Sequence, residues 1–258
     1  MEPDRGEAIR ERGGVTTVLA AAWLGRVDYA AAWAWQRELF LDRLEGERGD
    51  ALMLLEHPHT YTLGRRSLAE DLVYGEAERI ARGISLYEVD RGGRATYHGP
   101  GQLVGYPIMA LGERYDVLDY LRKLEGVLID TASDLGVEAR RDPEHTGVWV
   151  GDNKIGAIGV KITRGITMHG FAFNVSTDLK MFGGIVPCGI QGRWVTSVEA
   201  ETGVTRGVKE VGAIAANHLA EAFGTPLVWT HRESLRSPAL SQARTTAPPV
   251  RPQERGGF

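Results

Sequence analysis

One cysteine, Cys188, in 258 residues leaves no intramolecular disulfide to be made. A lone thiol is either an inert buried hydrophobe or a reagent. No apolar run reaches the roughly 18 residues that a membrane-spanning helix needs. The segment Met1 to Gly14 is charged where a secretory signal is apolar. Both features predict a cytoplasmic protein without a membrane partner, and the lack of a disulfide framework agrees with a reducing compartment. An excess of basic charge is also missing: the net charge of -4 argues against general nucleic-acid binding. Internal repeats are absent, and so is a phosphate-binding Walker lysine pattern. The run Gly99-Pro-Gly-Gln-Leu-Val-Gly105 fails as a dinucleotide fingerprint, because its third glycine comes one place late and a strand pattern follows. His57-Pro58-His59, with His98, His169 and Cys188, lacks the spacing of a strong metal signature. Neither a metal nor another cofactor is expected.

What is present is an ordinary globular composition, 43% hydrophobic and 25% charged, enough to build a core. The charged segment 1–14 and the tail 232–258, rich in Ser, Pro, Arg and Thr, are expected to be disordered. Residues 15–231 carry continuous patterning and read as a single domain. Strands are predicted at Thr16 to Leu24, Ala51 to Glu56, Ile84 to Val89, Gln102 to Ala110, Gly147 to Val150, Ile155 to Ile162 and Ile166 to Val175. Helices are predicted at Asp28 to Glu45, with Ala31, Trp35, Leu39 and Leu44 on its apolar side, at Val117 to Leu135, and at Val208 to Phe223. Asp116 and Gly136 supply the start and stop of the second. Strands come in runs rather than in βαβ alternation, so the fold class is α/β in the α+β sense: a mixed, largely antiparallel sheet with packed helices.

Three segments carry the chemistry. Arg91-Gly-Gly-Arg-Ala-Thr-Tyr-His-Gly-Pro-Gly-Gln-Leu-Val-Gly-Tyr-Pro107 holds five glycines and follows a strand. Such a backbone can approach a ligand closely, and the simpler alternative is a structural hairpin. Ile185-Val-Pro-Cys-Gly-Ile190 places the thiol between proline and glycine. A cysteine becomes a competent nucleophile when a nearby cation lowers its pKa from about 8.5. Lys154, preceding the strand pattern Ile155-Gly-Ala-Ile-Gly159, is the candidate cation, with His98 and His169 as alternatives. Backbone N–H groups around Gly189, or in the turn Gly99 to Gly101, are candidates for an oxyanion site. An apolar slot walled by Tyr97, Leu103, Ile158 and Phe171 would hold an acyl chain. Basic residues beside these segments, among them Arg65, Arg66, Arg140, Arg141, Lys161 and Arg164, suit an acidic partner.

In order and spacing, the Arg91 to Gln102 run, the Lys154 segment, His169-Gly-Phe-Ala-Phe-Asn-Val175 and Pro187-Cys-Gly189 resemble the octanoyltransferases of lipoate biosynthesis, also called lipoate-protein ligase B. The likeness runs from about Ala51 to about Glu199. It implies a biotin/lipoate protein ligase-like fold, of the class II aminoacyl-tRNA synthetase/biotin synthetase type. It also implies ATP-independent transfer of an octanoyl group from acyl carrier protein to a lysine of lipoyl domains, those of 2-oxoacid dehydrogenase complexes and the glycine cleavage H protein. On the same ground Cys188 carries the acyl thioester and Lys154 lowers its pKa. The stretches matched to substrate contact are Arg91, Gly92, Gly93, Arg94, Ala95, Thr96, Tyr97 and His98; Ala157, Ile158 and Gly159; and His169, Gly170, Phe171 and Ala172. Three rivals remain at this point: an ATP-dependent ligase of the same fold class, a metal-binding protein, and a non-catalytic lipoyl-domain-binding module.

Overall fold

The apolar run at residues 51–55 forms a strand because both of its faces are covered. In the computed structural model, which describes residues 18–186 and 194–236, Leu52 and Leu54 belong to one hydrophobic cluster and Ala51, Met53 and Leu55 to another on the opposite side. Period-2 alternation therefore sends every residue of this strand into a core, and each large side chain contributes about 1.5–3 kcal/mol by leaving water.

Along the chain, β1 (Leu19–Arg26), α1 (Tyr29–Leu44), β2 (Asp50–Glu56) and β3 (Thr60–Leu63) precede α2 (Glu76–Ala81), β4 (Ser85–Glu88), β5 (Ala95–His98) and β6 (Gln102–Ile108). Then come α3 (Val117–Asp134), β7 (Arg140–Arg141), β8 (Val148–Val150), β9 (Asn153–Thr163), β10 (Ile166–Asn174), α4 (Val198–Thr202), α5 (Val208–Phe223), β11 (Leu227–Trp229) and α6 (Arg232–Arg236). The main sheet runs β11-β1-β2-β6-β10-β9-β8-β7, parallel at the β11-β1-β2 end and antiparallel from β2 onward. A small second sheet runs β4-β3-β5. The mixed, largely antiparallel architecture read from the sequence is what the chain forms.

Helices α3 and α5 cover one face of the main sheet through Leu124, Leu128, Val211, Ala215 and Leu219. Helix α1 covers the other face through Ala32, Trp35 and Leu39. Asp28 caps α1, its carboxylate accepting from the N–H groups of Ala30 and Ala31. Ala31, expected on the apolar side, is exposed as part of that capped first turn, and Ala32 takes the inward position. Helix α6 lies within the segment assigned to the tail. Leu235 is wholly buried in the α1-side cluster and its carbonyl accepts from Arg48 Nη1 at 2.8 Å, which extends the ordered body past His231. The segments 1–14 and 237–258, and residues 16 and 17 of the first expected strand, lie outside the described residues. Among the described residues no helix is long and apolar enough to cross a membrane.

Gly99-Pro100-Gly101 is the hinge between the two sheets: β5 before it pairs with β3, and β6 after it enters the main sheet. Gly101 has φ +79°, and a Cβ there would stand 2.5 Å from the Ser176 carbonyl oxygen, so only glycine fits. Removing side-chain volume from the central strand should be costly. Leu54→Ala is expected to lower stability by about 2–5 kcal/mol, read as a reduced urea midpoint with an unchanged denaturant slope.

Candidate functional site

The glycine-rich run is a roof, and strands β9 and β10 are the floor beneath it. Gly92 N–H donates to the Val160 carbonyl of β9 at 2.9 Å, and Arg65 and Arg66 donate their N–H groups to the carbonyls of Arg91 and Gly93. Arg91 is buried: Nη1 donates to the carbonyls of Gly92 and Arg94, and Nη2 to the carbonyl and hydroxyl of Thr62. Arg94 makes a two-pronged bond to the buried Asp71 carboxylate, at 2.9 and 2.6 Å. Both arginines thus hold the loop in shape. Gly159 permits the close approach, since a Cβ there would lie 3.0 Å from Arg91 Cδ and 3.0 Å from the Gly92 carbonyl oxygen.

Between roof and floor is a cavity of about 350 Å³, in the usual size range of small-ligand sites. Arg91, Gly93, Arg94, Ala95, Thr96 and His98 line it from above, and Ala157, Ile158, Gly159, His169, Gly170, Phe171 and Ala172 from below, with Lys154. Two expected residues are not in the lining. Gly92 is fastened to β9, and Tyr97 points into the small sheet's core, stacked edge-on against Phe182. The expected walls are corrected as well. Leu103, Phe171 and Ile158 pack with the α3/α5 cluster, on the far side of the sheet from Ala172. The floor is therefore made by small residues, not by Phe171 and Ile158 side chains. Tyr29, Arg66, Tyr106, Glu144, His145 and Thr146 also line the cavity and were not read as ligand contacts.

Lys154 is buried at the start of β9, its ammonium donating to the Thr146 carbonyl at 3.1 Å and lying 4.6 Å over the Trp149 ring. The loop that supplies Thr146 is itself fixed: the buried Glu125 carboxylate of α3 accepts from Gly147 N–H at 3.0 Å and from Arg122 and Arg141. Lys154 also ties down the chain that follows the thiol segment. Its N–H donates to the Trp194 carbonyl, and its carbonyl accepts from Thr196 N–H. On the other flank Val186 N–H donates to the Asp71 carbonyl. Cys188 and Gly189, between these anchors, lie outside the described residues. The alternative oxyanion turn loses one donor, because Gly101 N–H is given to the Glu56 carboxylate at 2.9 Å.

The inner end of the cavity is a buried polar cluster whose hydrogen bonds fix its tautomers. His57 Nδ1 faces the Val27 carbonyl at 2.7 Å and so carries the proton, leaving Nε2 to accept from Tyr106 O–H at 2.8 Å. Tyr29 packs beside this pair, its ring centre 5.0 Å from that of His57 and 5.9 Å from that of His98. Burial pushes both phenols upward and pushes His57 down to about 4. His98 Nδ1 donates to Gln102 Oε1, since the Gln102 amide nitrogen already donates to Tyr97 O and Asn174 Oδ1. His98 is held well below the ordinary histidine range by burial first, then by His57. His169 is lowered by burial, against the opposing pull of Asp90. Burial thus works against the cationic form of both histidines considered as activators. The bonds of His57, His59, His98 and His169 go to four different partners, and no group of three or more metal-ligating side chains occurs among the described residues.

His169 is itself unusual. The β6–β10 register sets Phe171 opposite Gly105 and, further on, Ile166 opposite Ala110, which would set His169 opposite Pro107. Proline has no N–H to give to a central ladder. The pairing breaks there: Thr167 Oγ1 donates to the Pro107 carbonyl, His169 turns to φ +56°, and its N–H donates to the buried Gln36 side chain of α1 at 2.8 Å. Such a backbone costs on the order of 1–3 kcal/mol. The ring is then fixed by Nε2–H donating to Asp90 at 2.8 Å, with Lys161 on the second carboxylate oxygen at 2.6 Å. These two partners, the His169 bond foremost, hold Asp90 below the usual carboxylate range.

The lipoyl protein ligase A/B catalytic domain family matches residues 28–220. An octanoyltransferase of Solibacter usitatus is 51% identical over 201 residues, 78% of this chain and 90% of its own. Octanoyltransferases of Mycolicibacterium gilvum and Mycobacterium tuberculosis are each 48% identical, covering 82% and 75% of this chain and 87% and 82% of theirs. The chain belongs to the octanoyltransferase family. An octanoyltransferase is an acyltransferase, and its fold is shared more widely. A crystal structure of lipoate-protein ligase A bound with ATP superposes with TM-score 0.69 at 19% identity, over 85% of this chain and 92% of that one. A bipartite lipoate protein ligase from Thermoplasma acidophilum gives 0.68 at 19%, over 85% and 91%. The expected ligase-type fold is therefore present, and this octanoyltransferase builds its cavity on it.

The buried neutral histidine has a pH signature. His57 has a folded pKa of about 4 against 6.5, so the unfolded chain binds more protons between those values and stability falls as pH drops through that window. The loss is on the order of 3 kcal/mol by pH 4. His57→Gln is expected to flatten the fall in urea midpoint between pH 7 and pH 4.5; an unchanged pH slope in the variant would show that His57 does not carry it.

Proposed function

We propose that this octanoyltransferase takes an octanoyl group from acyl carrier protein, holds it as a thioester on Cys188, and passes it to a lysine of a lipoyl domain. The acceptors are lipoyl domains of 2-oxoacid dehydrogenase complexes and the glycine cleavage H protein, and the setting is the cytoplasm. The observation that carries the reading is the buried Lys154 ammonium, facing a ligand-sized cavity and bonded through its backbone to Trp194 and Thr196, just beyond the Cys188 segment.

The chemistry needs no nucleotide. With the thiol proton on Lys154, the Cys188 thiolate attacks the donor's carbonyl carbon; the new C–S bond forms as the bond to the carrier's thiol breaks. Lys154 gives its proton to that leaving sulfur and becomes neutral. It then removes a proton from the incoming amine as the amide bond forms, and Cys188 leaves as thiolate. One lysine thus serves as cation in the first half and base in the second, and one thioester is exchanged for another without an adenylate. Arg91, Gly93, Arg94, Ala95, Thr96 and His98 above, and Ala157 to Gly159 with His169 to Ala172 below, are assigned to substrate contact because they bound the same cavity as Lys154. The basic rim at Arg65 and Arg66, both exposed, suits an acidic carrier.

Incubation with octanoyl-acyl carrier protein, without ATP, is expected to give a hydroxylamine-labile octanoyl adduct on Cys188 by intact-protein mass spectrometry. Transfer at wild-type rate by Cys188→Ala would exclude the covalent route, and transfer only with ATP would favour the ligase chemistry. Lys154→Arg keeps the cation but does not release its proton at neutral pH. Acylated enzyme is expected to accumulate, with amide formation slowed by about 10²–10⁴-fold. Equal loss of both half-reactions would limit Lys154 to positioning.

A further inference from the structure

The cavity has a measurable length, set by the β9–β10 register. Ala157 lies opposite Ala172 and Gly159 opposite Gly170, whereas Val160, opposite His169, packs with the α3/α5 cluster and the left-handed turn at His169 brings its ring to the cavity side instead, beside Trp33 and Tyr106. Opposed residues of an antiparallel pair share a face, so the two small pairs form a trough leading from Lys154 to His169. At the Lys154 end, a Cβ built on Gly147 would lie 3.3 Å from Nζ and 2.6 Å from the Gly156 carbonyl oxygen, so the ammonium is within about 6 Å of that oxygen and Gly156 marks this end of the trough. From Gly156 to Val160 the strand advances about 13 Å at ~3.3 Å per residue. An octanoyl chain with its seven C–C bonds staggered is about 9 Å long, and a methyl in van der Waals contact needs ~4 Å more. The two lengths agree.

We propose that His169 is the stop that sets the longest acyl chain the enzyme accepts. Its imidazole is held from three directions: by the left-handed backbone whose N–H Gln36 captures, by Asp90 at Nε2, and by the edge of Tyr106 at 6.5 Å between ring centres. Nδ1 is buried without a hydrogen-bond partner among the described residues. A ninth or tenth carbon would have to move a braced ring. His169 lies at the opposite end of the trough from Lys154, so its effect is on chain length and not on chemistry.

This inference rests on the reading that the acyl carbon sits beside Lys154, and the test separates the two. Wild type and two variants are assayed with hexanoyl-, octanoyl-, decanoyl- and dodecanoyl-acyl carrier protein. His169→Asn keeps a side chain that tolerates the left-handed backbone and shortens the stop; its decanoyl-to-octanoyl ratio of kcat/KM is expected to rise at least tenfold. Ala157→Val narrows the trough near its Lys154 end, where every donor must fit; its decanoyl-to-octanoyl ratio is expected to stay at the wild-type value. An unchanged decanoyl-to-octanoyl ratio in soluble His169→Asn, or a tenfold rise in soluble Ala157→Val as well, overturns the proposal, even where octanoyl transfer itself falls. Failure of the wild type to transfer from any of these donors would instead overturn the functional reading beneath it.

Discussion

The closure of the Arg91 loop over Gly159 is the constraint on which the site depends. A guanidinium taken out of water must have its donors satisfied, and Arg91 finds carbonyls at Thr62, Gly92 and Arg94. Those carbonyls belong to β3 and to the loop itself, so satisfying the arginine draws the small sheet and the roof together. The roof then lies on β9 because residue 159 has no side chain to keep it away. The cavity exists as the space left between a roof fixed by charge-assisted hydrogen bonds and a floor of alanine and glycine.

The main strands and the three long helices were legible because their apolar spacing is set by the same burial that orders them; Val208 to Phe223 matches to the residue. Strands Thr60–Leu63 and Ala95–His98 were not, and the second is embedded in glycines that suggest a loop. At the site, sequence motifs identified the lining of roof and floor but not which way side chains face. Phe171 looks like the wall of an apolar slot until the register places it, with its cross-strand partner Ile158, on the α3/α5 side of the sheet. Tyr29 and Tyr106 gave no signal because each sits in a helix or strand pattern where an aromatic residue is read as core. They are core, and they also close the cavity.

The inner end of the cavity reconciles polar residues with an apolar ligand. Tyr106 and His57 hydrogen-bond in a chain that ends on the Val27 carbonyl, so their polar atoms face one another, and the Tyr29 ring packs against His57. Ring faces are what such a group can offer to a ligand. A pocket built this way excludes charge without leucine or valine on its walls. It also resists deformation, because moving one ring breaks the hydrogen bonds of the next.

Gln36 shows how one covalent fact reaches the site. Pro107 cannot donate to β10, so the ladder opens at residue 169 and an N–H is left over in a region with no water to take it. A leucine at position 36 would suit the buried stripe of α1 better than glutamine, yet it would leave that N–H unsatisfied, at a cost of about 1–3 kcal/mol. Glutamine satisfies it across the α1–sheet interface and so fixes His169 in a conformation the strand alone would not select. The polar residue in an apolar helix face, the proline in a central strand and the left-handed histidine are therefore one feature, and the length of the cavity follows from it.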